Sequence, residues 1–327
     1  MTTDHHVYTP VARTYGTPLR EPVSVLICAY TMRRWDDVLA AVDSVRPQLG
    51  GRDEVILVVD HNAELRAGLE ARFAGTPWLR ILSNTGKQGL SGARNTGVAA
   101  ARHDIVIFLD DDATAEPGMV AAMVLAMEEE RVVAVGGTPL PAWPAAVRPW
   151  WFPPEFDWVV GCAYVGLPTR RAEVRNVIGA VMAFRRGVLD RVGPFSTEVG
   201  RVGTLPLGCE ETELCIRVRQ QLPGAVIYHL PDARVRHRVT PDRTTWRYFL
   251  SRCYSEGVSK AMVSRLVGSG DALSTERRYV TRILPRAVGR SLLGVARGRL
   301  AAAGPGVAVL CGLAATGAGY LRGSLTR

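Results

Sequence analysis

The chain has 327 residues, 47% of them hydrophobic and 22% charged, which fits a folded globular protein and excludes a disordered one. Its net charge of +9 is uneven. The segment from Arg265 to Arg327 holds ten arginines and two acids, Asp271 and Glu276, a net +8, so the rest is close to neutral. That distribution argues against a nucleic-acid coat and points the basic tail toward an anionic membrane surface or an acidic partner. The six cysteines form no CxxC pair and read as reduced thiols of a cytosolic protein.

The elements follow in order. Residues 1–21 are polar, lack the basic-then-apolar layout of a signal peptide, and are expected to form a loose arm. Val23 to Tyr30 is a β-branched, buried strand. Trp35, Val38, Leu39, Val42 and Val45 have helical spacing, stopped at Gly50-Gly51. Glu54 to Asp60 is a second strand, Glu64 to Phe73 a short helix, and Leu79 to Leu82 a third strand. Gly89 to Ala101 is an Ala-rich helix whose glycine-rich start can either approach phosphate through backbone N–H groups or pack closely on the sheet. Ile105 to Leu109 is a fourth strand. Strand alternating with helix predicts an α/β domain with a mainly parallel sheet flanked by helices.

In such sheets ligands sit beyond the carboxyl ends of the strands. Tyr30, Asp60 and the triplet Asp110-Asp111-Asp112 all follow strand ends and should share one crevice. Three adjacent carboxylates repel one another. A hard divalent cation, Mg²⁺ or Mn²⁺, resolves that conflict, and a solvated acidic turn is the alternative.

Pro139 to Pro154 gathers six prolines with Trp143, Trp150, Trp151 and Phe152, an extended aromatic loop that serves either packing or an acceptor. Val177 to Arg185 reads as a strand. Glu210, Glu211 and Glu213 crowd a helix start, where the dipole favours anions. Ala225–Tyr228 and Ala233–His237 read as two short strands. Arg278, Arg282, Arg286 and Arg290 recur every four residues opposite Val280, Ile283, Leu284, Ala287, Val288, Leu292 and Val295, a basic amphipathic helix with an expected kink at Pro285. Gly304 to Leu321 carries no charge and just reaches membrane-spanning length, though its five glycines and proline favour a surface or protein-packed helix.

The ordered set SVLICAY, VVD, GLSGARNTG, FLDDD, GAVMAFRR, GCEETELCIR and VRHRV resembles the family 2 glycosyltransferases of the GT-A fold, from about Pro22 to Tyr254. The resemblance implies an inverting enzyme that moves one sugar from a nucleoside-diphosphate sugar to a hydroxyl acceptor with a divalent metal. By it, Ala29, Tyr30, Asp60, Arg94, Asp110 and Asp111 bind the donor. Asp112 is the direct metal ligand, with Asp110 and His237 beside it. Glu210-Glu211 matches a Glu-Asp pair whose second member is the general base. Asp60-His61-Asn62 departs from the family's usual Asp-Asp-Gly-Ser, which weakens inference about the base read. The QxxRW signature of processive synthases is absent. A nucleotidyltransferase and a non-catalytic donor-binding scaffold are the rival readings. The expected organisation is an arm over 1–21, a GT-A catalytic domain over 22–258 and a helical tail over 259–327. The expected location is cytoplasmic, peripheral at the inner face of the cell membrane.

Overall fold

A computed structural model describes residues 20–200 and 208–325. The expected arm lies outside the described residues up to position 19.

Strands β1 (Val23–Ala29), β2 (Glu54–Val59), β3 (Leu79–Ser83) and β4 (Ile105–Asp110) pair in parallel in the order β3-β2-β1-β4. Helices α1 (Trp35–Val45), α2 (Ala63–Arg72) and α3 (Leu90–Ala100) make the crossovers. β1, β2 and β4 are buried on both faces, which explains their unbroken apolar runs. Past β4 the sheet turns mixed. It continues through β5 (Ala113–Ala115), β6 (Val132–Ala142), β7 (Ala172–Glu173), β8 (Val181–Arg185) and β9 (Val226–Arg238) in the order β4-β8-β6-β9-β5, with β7 on β9. β8 runs antiparallel to both β4 and β6. Helices α4 (Met119–Ala126), α5 (Arg186–Val192) and α6 (Glu210–Gln221) complete the α/β part.

Three sequence expectations change. The strand expected from Val177 starts only at Val181; Val177 to Ala180 turns along the sheet's mouth, where Asp110 N–H donates to the Ala180 carbonyl at 3.1 Å. The two late strands are one. β9 runs through Pro231, and its register on β6 jumps between Gly136↔His229 and Thr138↔Arg234, so the proline sits in a bulge that needs no ladder N–H. The aromatic loop begins as the end of β6. Its Phe152 and Phe156 pack with Phe249 in a buried cluster, so packing is their role, whereas Trp150 is 70% exposed.

The tail is built from α7 (Trp246–Val267), α8 (Ser269–Ala272), α9 (Ser274–Arg278), α10 (Leu284–Ala296) and α11 (Ala303–Leu325). α7 is continuous across residue 258, where the catalytic part and the tail were expected to divide. The single amphipathic helix is interrupted by a π-turn at Tyr279–Ile283, just before Pro285 at the first turn of α10. Proline has no N–H to give the preceding turn, and it suits a helix start. Leu284 and Ala287 face inward, but Leu292 is 65% exposed, so the apolar stripe is not one face.

α11 lies along α7 at backbone contact. A Cβ on Gly319 would fall 1.9 Å from the Tyr254 carbonyl oxygen, and one on Gly257 2.0 Å from that of Thr316. Leu284, Ala287, Ala308 and Val309 share the cluster of Phe152, Phe156 and Phe249. The stretch Leu300–Leu325 is also long and apolar enough to cross a membrane by length and composition.

This packing sets the expected cost of removing the tail. Truncation before Arg277 strips partners from Phe156 and Phe249, each worth about 1.5–3 kcal/mol when buried. The thermal midpoint should then fall by more than about 5 °C without any membrane present. A truncated chain that melts with the parent would show that the tail merely rests on the catalytic part.

Candidate active site

The carboxyl ends of β1, β2 and β4 lie side by side because the three strands are parallel and adjacent. They open into a cleft of about 740 Å³ whose lining includes Ala29, Tyr30, Asp60, Arg94, the Asp110–Asp112 triplet, Glu210, Glu211 and His237. Every site residue expected from the sequence therefore meets in one cavity.

Asp60 is buried and held by three groups. Asn84 Nδ2 donates to it at 2.6 Å, Gly89 N–H at 2.9 Å, and His61 Nδ1 lies 2.8 Å away. Gly89 is the residue before α3 and has φ +123°, a conformation that suits glycine and turns its N–H onto the carboxylate.

β4 carries Asp110 to its last position, and the next two aspartates are buried behind it. β5 returns antiparallel to β9, placing Ala113 opposite His237. His237 Nε2 thereby lies 3.2 Å from Asp112 Oδ1 and 3.9 Å from Asp110 Oδ2. One ligand atom from each of Asp110, Asp112 and His237 falls within 4.8 Å of the others. Two carboxylate oxygens and an imidazole nitrogen at that spacing can hold a divalent cation. The other half of the triplet faces cations. Arg34 pairs with Asp111, and with Asp112 at 3.0 Å; Arg243 stands 3.6 Å from Asp112. Asp111 Oδ2 is buried with no hydrogen-bond partner among the described residues.

The electrostatics follow from this arrangement. Burial would raise the Asp112 carboxyl, but His237 and Arg34 outweigh it and hold it well below the usual range. His237 is lifted well above an ordinary histidine, because Asp112 outweighs the burial that would lower it. Asp111 is pushed up to about 7 by burial, Arg34 opposing and Asp112 and Asp110 adding to the shift.

Glu210 and Glu211 open α6 and have different partners. Glu210 is buried and accepts from Arg94 Nη1 at 2.8 Å; the same guanidinium reaches the Gly179 carbonyl at 2.9 Å and Asp110 at 3.3 Å. Arg94 thus ties the helix start to the end of β4. Glu211 is half-buried, accepts from Thr212 Oγ1 at 3.2 Å, and lines the cleft beside Gly179. Burial pushes its carboxyl up to about 7, with Glu210's charge adding. Glu213 pairs with Arg217 at 2.7 and 2.8 Å, the helix-start role its position predicts. Cys209, just before α6, has φ +73° and is braced from α7: its thiol lies 3.3 Å from Glu256 Oε1, and Gly208 N–H donates to Ser259 Oγ at 3.2 Å.

Arg34 was missed by sequence reading. Its signal was weak: an arginine four residues beyond Tyr30 at a strand end, with nothing local to aim it at the triplet. Arg243 is buried beside Asp112, whereas Arg238 is exposed and paired with Asp37.

A parallel-to-mixed sheet thus brings an acidic strand end, a partnering histidine and a glutamate-bearing helix start to one cleft. Residues 24–193 match the family described as Glycosyl transferase family 2. The chain is 34% identical over 306 residues to the glucosyl-dolichyl phosphate glucuronosyltransferase of Haloferax volcanii, covering 93% of this chain and 96% of that relative. It is 27% identical over 257 residues to a probable polypeptide N-acetylgalactosaminyltransferase 8 of Homo sapiens, covering 72% of this chain and 38% of that one. Among solved structures it is similar to the mannosyltransferase PcManGT of Pyrobaculum calidifontis with GDP-Man and Mn²⁺, at TM-score 0.59 and 19% identity over 94% of this chain and 86% of that chain. It is also similar to GalNAc-T7 with UDP, GalNAc and Mn²⁺, at TM-score 0.53 and 14% identity over 84% and 58% of the two chains. The chain belongs to the family 2 glycosyltransferases and has their GT-A fold. It is a glycosyltransferase, which sets aside the nucleotidyltransferase and scaffold readings.

Proposed function

We propose that the protein moves one sugar from a nucleoside-diphosphate sugar to a hydroxyl acceptor with inversion at the anomeric carbon, Glu211 acting as general base. The observation that carries this is one carboxylate, half-buried and raised to about 7, opening into the same cleft as the Asp110–Asp112–His237 cluster. A group titrating near neutrality suits proton removal from a sugar hydroxyl. Asp110, Asp112 and His237 are the residues that would hold Mg²⁺ or Mn²⁺, and such an ion would neutralise charge on the departing diphosphate.

The chain's own groups do the rest. Ala29, Tyr30 and Asp60 form the wall where the nucleoside lies, Asp60 fixed there by its three partners. Arg34 and Arg243 face the triplet and bring positive charge to the diphosphate side, and Asp111 keeps Arg34 in place. Arg94 fixes Glu210, and so sets where Glu211 stands relative to Asp110.

The acceptor enters from the opposite end. There the cleft is lined by Tyr164, Tyr279 and the ion-paired Arg175, Lys260, Glu256 and Glu276, together with apolar Ile283 and Leu284. Polar, tyrosine-bearing and apolar walls side by side suit a sugar carried on a lipid, and a sugar on a lipid phosphate is the class of acceptor named in the Haloferax relative. Such an acceptor places the enzyme at the cytoplasmic face of a membrane.

Inversion is tested on the product. With an α-linked donor, the anomeric proton coupling of the transferred sugar should report a β linkage by NMR. An α-linked product would remove Glu211 from the role of base in a single displacement.

A further inference from the structure

The α10–α11 hairpin carries features that neither the cleft nor the core explains. Leu292 is 65% exposed, Leu293 57%, Leu300 77% and Val307 51%. Trp150, 70% exposed, joins them from the aromatic loop: a Cβ on Gly304 would lie 2.3 Å from its ring, so the indole rests on the first turn of α11. The two helices close tightly behind these residues, Gly294 against Ala302 and Gly306 against Ser291. The apolar side chains therefore gather at the closed end of a rigid hairpin.

The hairpin's own charged residues are all arginines, of which Arg290 is paired with Glu155 from outside it. From Arg277 to Arg327 the sequence has nine arginines and no aspartate, glutamate or lysine. Arg286, Arg297 and Arg299 are exposed, with no acidic partner among the described residues.

We propose that this hairpin end is a monotopic docking tip that inserts into the headgroup region of an anionic bilayer, its leucines and Trp150 immersed and its arginines on lipid phosphates. The proposal rests on the reading of a lipid-borne acceptor and adds the surface that meets the lipid. An apolar tip ringed by arginine, with an aromatic at the boundary, suits the membrane interface. A second copy of the chain seated tip to tip would set Arg297 and Arg299 against their own copies. A spanning α11 fits less well, because its Gly319 and Gly323 pack at backbone distance on α7, which carries Arg252, Glu256 and Lys260. Spanning would draw those charges toward hydrocarbon. The same hairpin supplies Leu284 and Leu313 to the cleft, so one packed unit joins the docking tip to the cleft.

The test is cosedimentation of the full chain with vesicles of phosphatidylcholine alone or mixed with phosphatidylglycerol, across a salt series. The parent should bind the mixed vesicles, loosen as salt rises, and be released by alkaline carbonate. The combined variant Leu292→Ser, Leu293→Ser, Leu300→Ser should bind at least about tenfold more weakly with every arginine intact, because immersed leucines supply the apolar share of the affinity. Its thermal midpoint and donor hydrolysis should match the parent's, since these side chains are exposed and outside the cleft. The parent's tryptophan emission should shift to the blue on vesicle addition, and Trp150→Phe should remove that shift. A triple variant that sediments like the parent, or a parent that ignores anionic vesicles, overturns the proposal. So does a parent that resists both salt and carbonate, which would be a spanning helix. A vesicle-free dimer that the triple variant dissociates overturns it too. Vesicle binding needs neither donor nor acceptor, so it fails separately from the enzymatic reading, which nucleoside-diphosphate release reports.

Discussion

Glu211→Gln is expected to lower turnover by about 10²–10⁴-fold while leaving donor affinity within a factor of about two, as loss of a general base does. The substitution keeps the side chain's size and its contact with Thr212 but removes the proton acceptor. The parent's rate should rise with pH through about 7 and level off above it, because only the ionised carboxylate accepts the proton. That limb should vanish in the Gln variant.

Stability should move the opposite way. The folded carboxyl lies above its ordinary 4.5, so the folded state binds more protons between about 4.5 and 7, and stability falls as pH rises through that window. At pH 8 the Gln variant should thus melt no lower than the parent, which separates lost chemistry from lost fold. Unchanged turnover, or a larger loss from Glu213→Gln, would move the base elsewhere. Glu213 is committed to Arg217, so its replacement should cost stability rather than rate.

The second large effect is at the metal cluster. Asp112→Asn removes the charge that faces His237, Arg34 and Arg243 at once. Mn²⁺-dependent binding of a nucleoside diphosphate should weaken by more than the ~10–100-fold typical of groups one step removed from a metal. Calorimetric titration of Mn²⁺ and nucleotide into both proteins measures this. A variant that binds both as the parent does would remove Asp112 from the ligand set. Circular dichroism should show the fold retained, because Arg34 keeps Asp111 as a partner.

Much of this was legible in the sequence, and the reasons are specific. Parallel strands buried on both faces leave unbroken apolar runs, so β1, β2 and β4 could be read, and their ends located Tyr30, Asp60 and Asp110 to Asp112. The triplet stood out because three carboxylates at a strand end have no folding rationale. Other features depend on contacts distant in sequence. Arg34 reaches Asp111 across 77 positions, and nothing beside it in the chain announces the pair. β9 looked like two strands because Pro231 breaks the alternation, and only pairing with β6 shows the bulge that accommodates it. The tail's arginine repeat predicted one amphipathic helix. Pro285 and the close α7–α11 packing divided it instead, since glycines that weaken a membrane helix also let two backbones touch. The divergent partners of Glu210 and Glu211 were likewise invisible locally, because Arg94 arrives from α3.

The central claim is metal-dependent sugar transfer from a nucleoside-diphosphate donor, and the most direct measurement is the nucleotide product. The purified full chain is incubated with a panel of UDP- and GDP-sugars and a lipid-phosphate-linked sugar acceptor, with Mn²⁺, with Mg²⁺ and with chelator. The account predicts that one donor yields free nucleoside diphosphate together with an extended acceptor, that chelator abolishes both, and that Asp112→Asn and Glu211→Gln each suppress them. Release of pyrophosphate, or transfer undiminished by chelator and by both substitutions, would contradict it.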